Sequence, residues 1–107
     1  MAQPQKSEII HLKQSLDVQS GAVVSKTLVN EKSGTITLFA FDQNEGLSEH
    51  EAPYDASVYV LEGNLEITIS GKPYLLQADD MIIMPANQPH ALNAKSSVKL
   101  LLVMIRS

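Results

Sequence analysis

Past Leu16, no stretch of this chain has both the length and the 3.6-residue period of a helix. Short runs rich in Val, Ile, Thr, Tyr and Phe follow one another instead, cut at brief intervals by turn residues. The runs are Ala22 to Val29, Gly34 to Phe41, Ser57 to Leu61, Asn64 to Ser70, Met81 to Met84 and Val98 to Ile105. Branched and flat side chains pack well on a pleated surface, so each run reads as a strand. Between them, Asn30 to Gly34 and Ser70 to Pro73 suit hairpins, Glu62-Gly63 marks a tight bend, and Pro85 to Pro89 forms a proline-bounded loop. Gly admits positive φ and Pro presets a turn, which is why these residues punctuate strands. Many short strands with regular turns predict an all-β sandwich or barrel.

The two ends read differently. Ser7 to Leu16 carries Ile9, Ile10, Leu12 and Leu16, a spacing that fits either a short helical turn or an irregular arm. Val98 to Ile105 is apolar on both alternations through most of its length. That pattern predicts burial on both faces, one against a barrel interior and the other under a second layer or a partner chain. With 107 residues, no linker and no repeat, one domain is expected. We divide it into an N-terminal arm over residues 1–22 and a barrel over 23–107.

Composition excludes several function classes. The net charge is −4, and the eight Lys and Arg residues are scattered, whereas phosphate backbones need clustered cations; no nucleic-acid partner is expected. There is no cysteine, so disulfides and thiolate metal sites are ruled out, and any metal must be held by His, carboxylate or water. The longest apolar run, Leu100 to Ile105, is far too short to span a bilayer as a helix, and the polar start has no apolar core for a secretory signal. A cytoplasmic chain without a membrane partner is the resulting expectation.

Three histidines are present, His11, His50 and His90. His11 lies in the arm and reads as a surface or packing residue. The other two sit beside turn-rich segments whose pattern is more specific. One stretch runs Gly46-Leu-Ser-Glu-His50-Glu-Ala-Pro-Tyr-Asp-Ala-Ser-Val-Tyr-Val-Leu-Glu-Gly63; the second runs Asp79-Asp80-Met-Ile-Ile-Met-Pro85-Ala-Asn-Gln-Pro-His90. Together they resemble the two motifs of the cupin family, in its small single-domain type, and the likeness extends from about Val23 to Ile105. The resemblance implies a jelly-roll barrel, the double-stranded β-helix, preceded here by the arm. It is informative about fold and says little about activity, since this fold hosts many chemistries.

In that family three histidines and a glutamate converge on a divalent metal within the barrel. His50 matches the first histidine and His90 the last, whereas Ala52 and Ala56 stand where the second histidine and the glutamate would be. His50 and His90 are therefore candidate ligand-binding residues and a candidate partial metal site for Mn, Fe, Ni, Cu or Zn. Two imidazoles hold such an ion weakly, because tight sites supply three or four protein ligands. Asp55 is the candidate third ligand, since the backbone after Pro53 is irregular enough to turn it inward. The competing reading has Asp55 closing a local turn by accepting backbone N–H bonds. If His50 points in along a regular strand, Glu51 points out. The stretch from His50 to Ala56 also resembles a subgroup of small cupins sharing His-x-x-Pro-x-Asp-Ala.

Two functional expectations follow. The first is a domain binding a small organic molecule in the barrel pocket, metal-free or weakly metal-bound. The second is a metal-dependent enzyme, dioxygenase- or isomerase-like, that uses His50, His90 and Asp55. A third, purely structural reading has the pocket packed shut. Elsewhere, Met81 and Met84 are expected in the core. Tyr59 is expected on the face opposite Val58 and Val60, and Asp79 is expected to keep the turn in which it replaces a glycine. The arm and the doubly apolar last strand suggest a homodimer; the alternative is that the arm covers that strand within one chain.

Overall fold

The computed structural model describes residues 6–106; residues 1–5 of the expected arm and Ser107 of the expected barrel lie outside them. Nine strands are described: β1 Val23–Glu31, β2 Gly34–Phe41, β3 Gly46–His50, β4 Asp55–Glu62, β5 Leu65–Ile69, β6 Lys72–Leu76, β7 Met81–Met84, β8 His90–Ala94 and β9 Val98–Ile105. All strand pairs are antiparallel. They form a five-stranded sheet in the order β1-β2-β9-β4-β7 and a four-stranded sheet in the order β3-β8-β5-β6. This is the expected all-β architecture, two sheets closed face to face as a jelly roll.

Alternation explains the core. On β4, Ala56, Val58 and Val60 point between the sheets, as do Leu65, Ile67 and Ile69 on β5 and Leu92 and Ala94 on β8. Phe41, Met84, Val98 and Leu100 complete the same cluster. Tyr59 points the other way, as expected, and packs on the outer face with Leu28, Leu38 and Leu61. Its hydroxyl donates to Asp79 Oδ1 at 2.8 Å, and Asp79 holds the turn in the left-handed region at φ 73°.

The N-terminal arm covers part of that outer face. It makes one short 3-10 turn, Leu12–Gln14, and lays Ile10, Leu12 and Leu16 over Leu28, Leu38, Leu61 and Leu101. Lys99 fastens it: the buried side chain extends its Nζ to the Lys13 carbonyl. The last strand is therefore covered on both faces only over its first half. Val103 is half-buried and Ile105 is 65% exposed. Met81 is likewise 58% exposed, which corrects the expectation that both methionines of β7 fill the core; Met84 does so and Met81, three residues earlier on the opposite face, does not.

Two glycines hold the strands at close range. A side chain at Gly46 would run into the Leu92 carbonyl across the β3–β8 pair, and one at Gly63 into the Ser97 carbonyl, with Gly63 at φ 90° besides. These are the residues that bracket the first motif. The Ser70-Gly71 bend, at φ 49° and 83°, is the two-residue primed turn that joins β5 to β6 with Ile69 opposite Lys72.

Candidate functional site

The four-stranded sheet brings His50 and His90 together. His50 ends β3, His90 begins β8, and the two are direct partners in the antiparallel register. Leu47 pairs with Leu92, so three steps along β3 answer two along β8, and β3 carries a bulge between them. Simple alternation from Leu47 would turn His50 to the outside. The extra residue restores its inward aim, and Leu47 and His50 line the same cavity.

Each ring is steered by a carbonyl two residues earlier in its own segment. His50 Nδ1 lies 2.7 Å from the Ser48 carbonyl oxygen, and His90 Nδ1 lies 3.2 Å from that of Gln88. A carbonyl can only accept, so both Nδ1 atoms carry the proton in this assignment, and each neutral ring presents Nε2 as a bare lone pair. The two Nε2 atoms face each other at 3.1 Å, with the ring planes at 73°. Three polar contacts thus need three bridging groups, and two neutral imidazoles supply only two protons. The gap between the Nε2 atoms is met by an added proton, a metal ion or a donor from a bound molecule.

The walls are apolar. Leu47, Leu92, Leu102 and Met104 line the cavity with Met84, Ala52 and Ala56, and Pro53, Tyr54 and Glu51 complete the lining. Its volume is about 240 Å³, below the range typical of drug-sized ligand pockets. His90 is buried at 3% exposure, while His50 is exposed at the rim. Burial lowers the His90 pKa below the usual imidazole value, and a charge on His50 would lower it further; the Gln88 carbonyl and the Glu51 carboxylate oppose that shift.

Asp55 is not brought into this set. Its Oδ1 accepts the Ala86 N–H at 2.9 Å, and beside it the Asn87 N–H donates to the Ala52 carbonyl at 2.7 Å. Of the two readings given for Asp55, this is the backbone-bonding one: the carboxylate ties the loop before β8 to the start of β4. Glu51 is exposed, and it lies at the edge of the cavity. β3 ends at His50, so strand alternation no longer governs the next residue, and Glu51 reaches the cavity lining. His11 lies in the arm, away from this cavity, and its carbonyl accepts the Ser15 hydroxyl.

A metal ion 2.0–2.1 Å from each nitrogen, the usual zinc–imidazole length, is compatible with a 3.1 Å span between neighbouring ligands. The rest of the donor set does not fit a tightly held ion. Ala52 and Ala56 offer methyl groups, and among the described residues no cluster of three or more His, Asp or Glu side chains is placed to bind a metal.

The fold and the paired motifs agree with a comparison by sequence: the cupin domain family matches residues 37–106. The chain belongs to the cupin family. A conserved protein of unknown function from Streptococcus pyogenes is 32% identical and superposes with a TM-score of 0.92 over 100% of this cupin and 96% of that chain. A cupin 2 conserved barrel domain protein from Leptotrichia buccalis is 34% identical, with a TM-score of 0.88 over 91% of this chain and 47% of its own. Among curated proteins, one called polyketide synthase CurC, from Streptomyces cyaneus, is 33% identical over 69 residues. Those residues are 64% of this chain, and the match spans 45% of that protein's length. No helix among the described residues is long and apolar enough to cross a membrane.

Sequence reasoning found both histidines and missed most of the walls. Leu92, Leu102 and Met104 lie outside both motifs, and Leu47 and Tyr54 lie within the first without being marked by it. The usable signal was strand parity: Leu102 and Met104 share a face with buried Leu100, and Leu92 shares one with His90.

Proposed function

We propose that this cupin is a binding domain that takes a small, mostly apolar organic molecule into the cavity beside His50 and His90. The observation that carries the reading is the contrast within the cavity, where mostly aliphatic walls surround two Nε2 atoms that, among the described residues, meet only each other. Such a site gains affinity from apolar burial and orientation from a single polar point. The curated relative named as a polyketide synthase is consistent with a small organic ligand, although the chain spans less than half of that protein. The test is metal content per chain after purification from metal-supplemented growth. Well under one ion per chain is expected; a full equivalent that disappears in His50→Ala would overturn the reading.

That stoichiometric result is what the competing reading requires. A metal-dependent enzyme draws its support from the same pair, because both Nε2 lone pairs converge at a span suited to one ion. The missing carboxylate and third histidine weigh against it.

We also propose that the chain pairs with itself. A row of outward-facing apolar residues, Val29, Ile36, Val103 and Ile83, crosses the five-stranded sheet beside the cluster on which the arm packs, interrupted only by Ser57. Ile83 is 55% exposed. Ile83→Asp is expected to shift a dimer to monomer in analytical ultracentrifugation; an unchanged mass would overturn the pairing.

A further inference from the structure

The polar side of the cavity has a consistent chemical sense. With both Nδ1–H groups assigned to the carbonyls of Ser48 and Gln88, the Nε2 atoms turn acceptor lone pairs toward the cavity. Glu51, at the same lining, is an acceptor when ionised, and among the described residues Tyr54 is the lining residue with a neutral hydroxyl donor. A ligand head that can only accept would meet lone pair against lone pair and leave the gap between the Nε2 atoms unfilled. A head that donates closes it: one O–H or N–H proton directed between two nitrogens 3.1 Å apart bonds to both as a three-centre contact. The alternative donor, a water, is displaced at no loss by a group that reproduces its bonds.

We infer that the ligand is a small aliphatic molecule whose head group is a hydrogen-bond donor, a hydroxyl or an ammonium, seated on the His50–His90 nitrogen pair. This rests on the binding-pocket reading above and adds the class of molecule. Walls made mostly of Leu, Met, Ala and Pro, with Tyr54 the one aromatic residue beside the histidines among the described lining, suit an alkyl body, and a cavity of about 240 Å³ limits it to a few carbons. Donation also explains why the pair functions without the rest of a metal set. Two acceptors suffice to orient a donor, whereas an ion needs further ligands.

The experiment uses chelator-treated protein and four probes of matched length: pentanol, pentylammonium, methyl butyl ether and pentanoate. Dissociation constants come from calorimetry or ligand-observed NMR. Pentanol, pentylammonium or both should bind at least about tenfold more tightly than the ether and pentanoate, because leaving buried polar partners unpaired is costly. In His50→Ala the advantage should fall to within about twofold, the scale of context effects on a single contact. His50 is exposed, so its removal leaves the apolar core intact. Equal binding of ether and alcohol would overturn the donor inference and leave the pocket reading standing. Tightest binding by pentanoate would do the same, since it would mean the pair acts as a cation. Failure of all four to bind would overturn both.

Discussion

The two sheets of this barrel share a core but not a task. The five-stranded sheet is built mostly from long runs of branched and apolar side chains, and its inner face supplies Ala56, Met84, Leu102 and Met104 to the cavity walls. The four-stranded sheet has strands of five residues each and carries both histidines, with a bulge between Leu47 and His50 that sets the aim of one of them. Both sheets contribute buried side chains to the core, whereas the two histidines of the cavity stand on the second alone. Substitutions in the core of the first sheet should therefore change stability with little effect on the aim of the two rings.

The largest change would come from breaking that division of labour. Ala56, on the five-stranded sheet, meets the cavity with a methyl group, and Ala52 does so from the segment after β3. Ala52→His with Ala56→Glu should raise the divalent ion retained after desalting to about one per chain, well above the parent protein, as four-ligand sites do. Metal analysis by mass spectrometry checks this, and an unchanged metal content would mean that the walls do not face the pair as described.

Within the five-stranded sheet, Leu100→Ala removes a fully buried side chain from β9 and should cost about 2–5 kcal/mol in denaturant unfolding. The order of probe affinities should survive in the folded protein. On the other sheet, Gly46→Ala drives a methyl group toward the Leu92 carbonyl, and about 1–3 kcal/mol is expected for such overpacking. Because β3 carries His50, that variant should also weaken binding, and stability loss without weakened binding would contradict the link. Asp55→Ala removes one hydrogen bond to Ala86 N–H, worth about 0.5–1.5 kcal/mol. It should leave metal retention unchanged, because the carboxylate faces the loop.

The smallest expected effect is a pH dependence. Burial lowers the folded-state pKa of His90, so the unfolded chain binds its proton more readily. The associated stability is complete above the unfolded imidazole value of about 6.5 and is lost as pH falls through the lower folded value. Thermal melts between neutral and mildly acid pH should show this decline, and His90→Gln should flatten it. A decline of equal size in the variant would assign the effect to the carboxylates.

The contrast between the sheets also sets what was legible beforehand. All five strands of the larger sheet appear as runs of β-forming residues. Of the smaller sheet only β5 does so. β3 reads GLSEH, β6 opens with a proline after its lysine, and β8 reads HALNA; none has the composition that marks a strand. Their pairing is imposed by neighbours, by tight turns such as Ser70-Gly71, and by the close approach at Gly46. His50 and His90 were found through motif resemblance, which does not depend on strand propensity. Asp55 and Glu51 were harder, since each lies where regular alternation ends. Met81 shows the reverse difficulty: an apolar residue on a short strand gives no sign of which face it takes.

The steering of each imidazole by the carbonyl two residues before it has a consequence for how such a protein can change. The aim of both rings is set by main chain of their own segments, with no contribution from the side chains of Ser48 and Gln88 to those contacts. Wall residues can be exchanged without dismantling the instrument they surround, much as a lens mount survives a change of housing. A chain that keeps this backbone keeps a fixed two-nitrogen port, whatever side chains surround it.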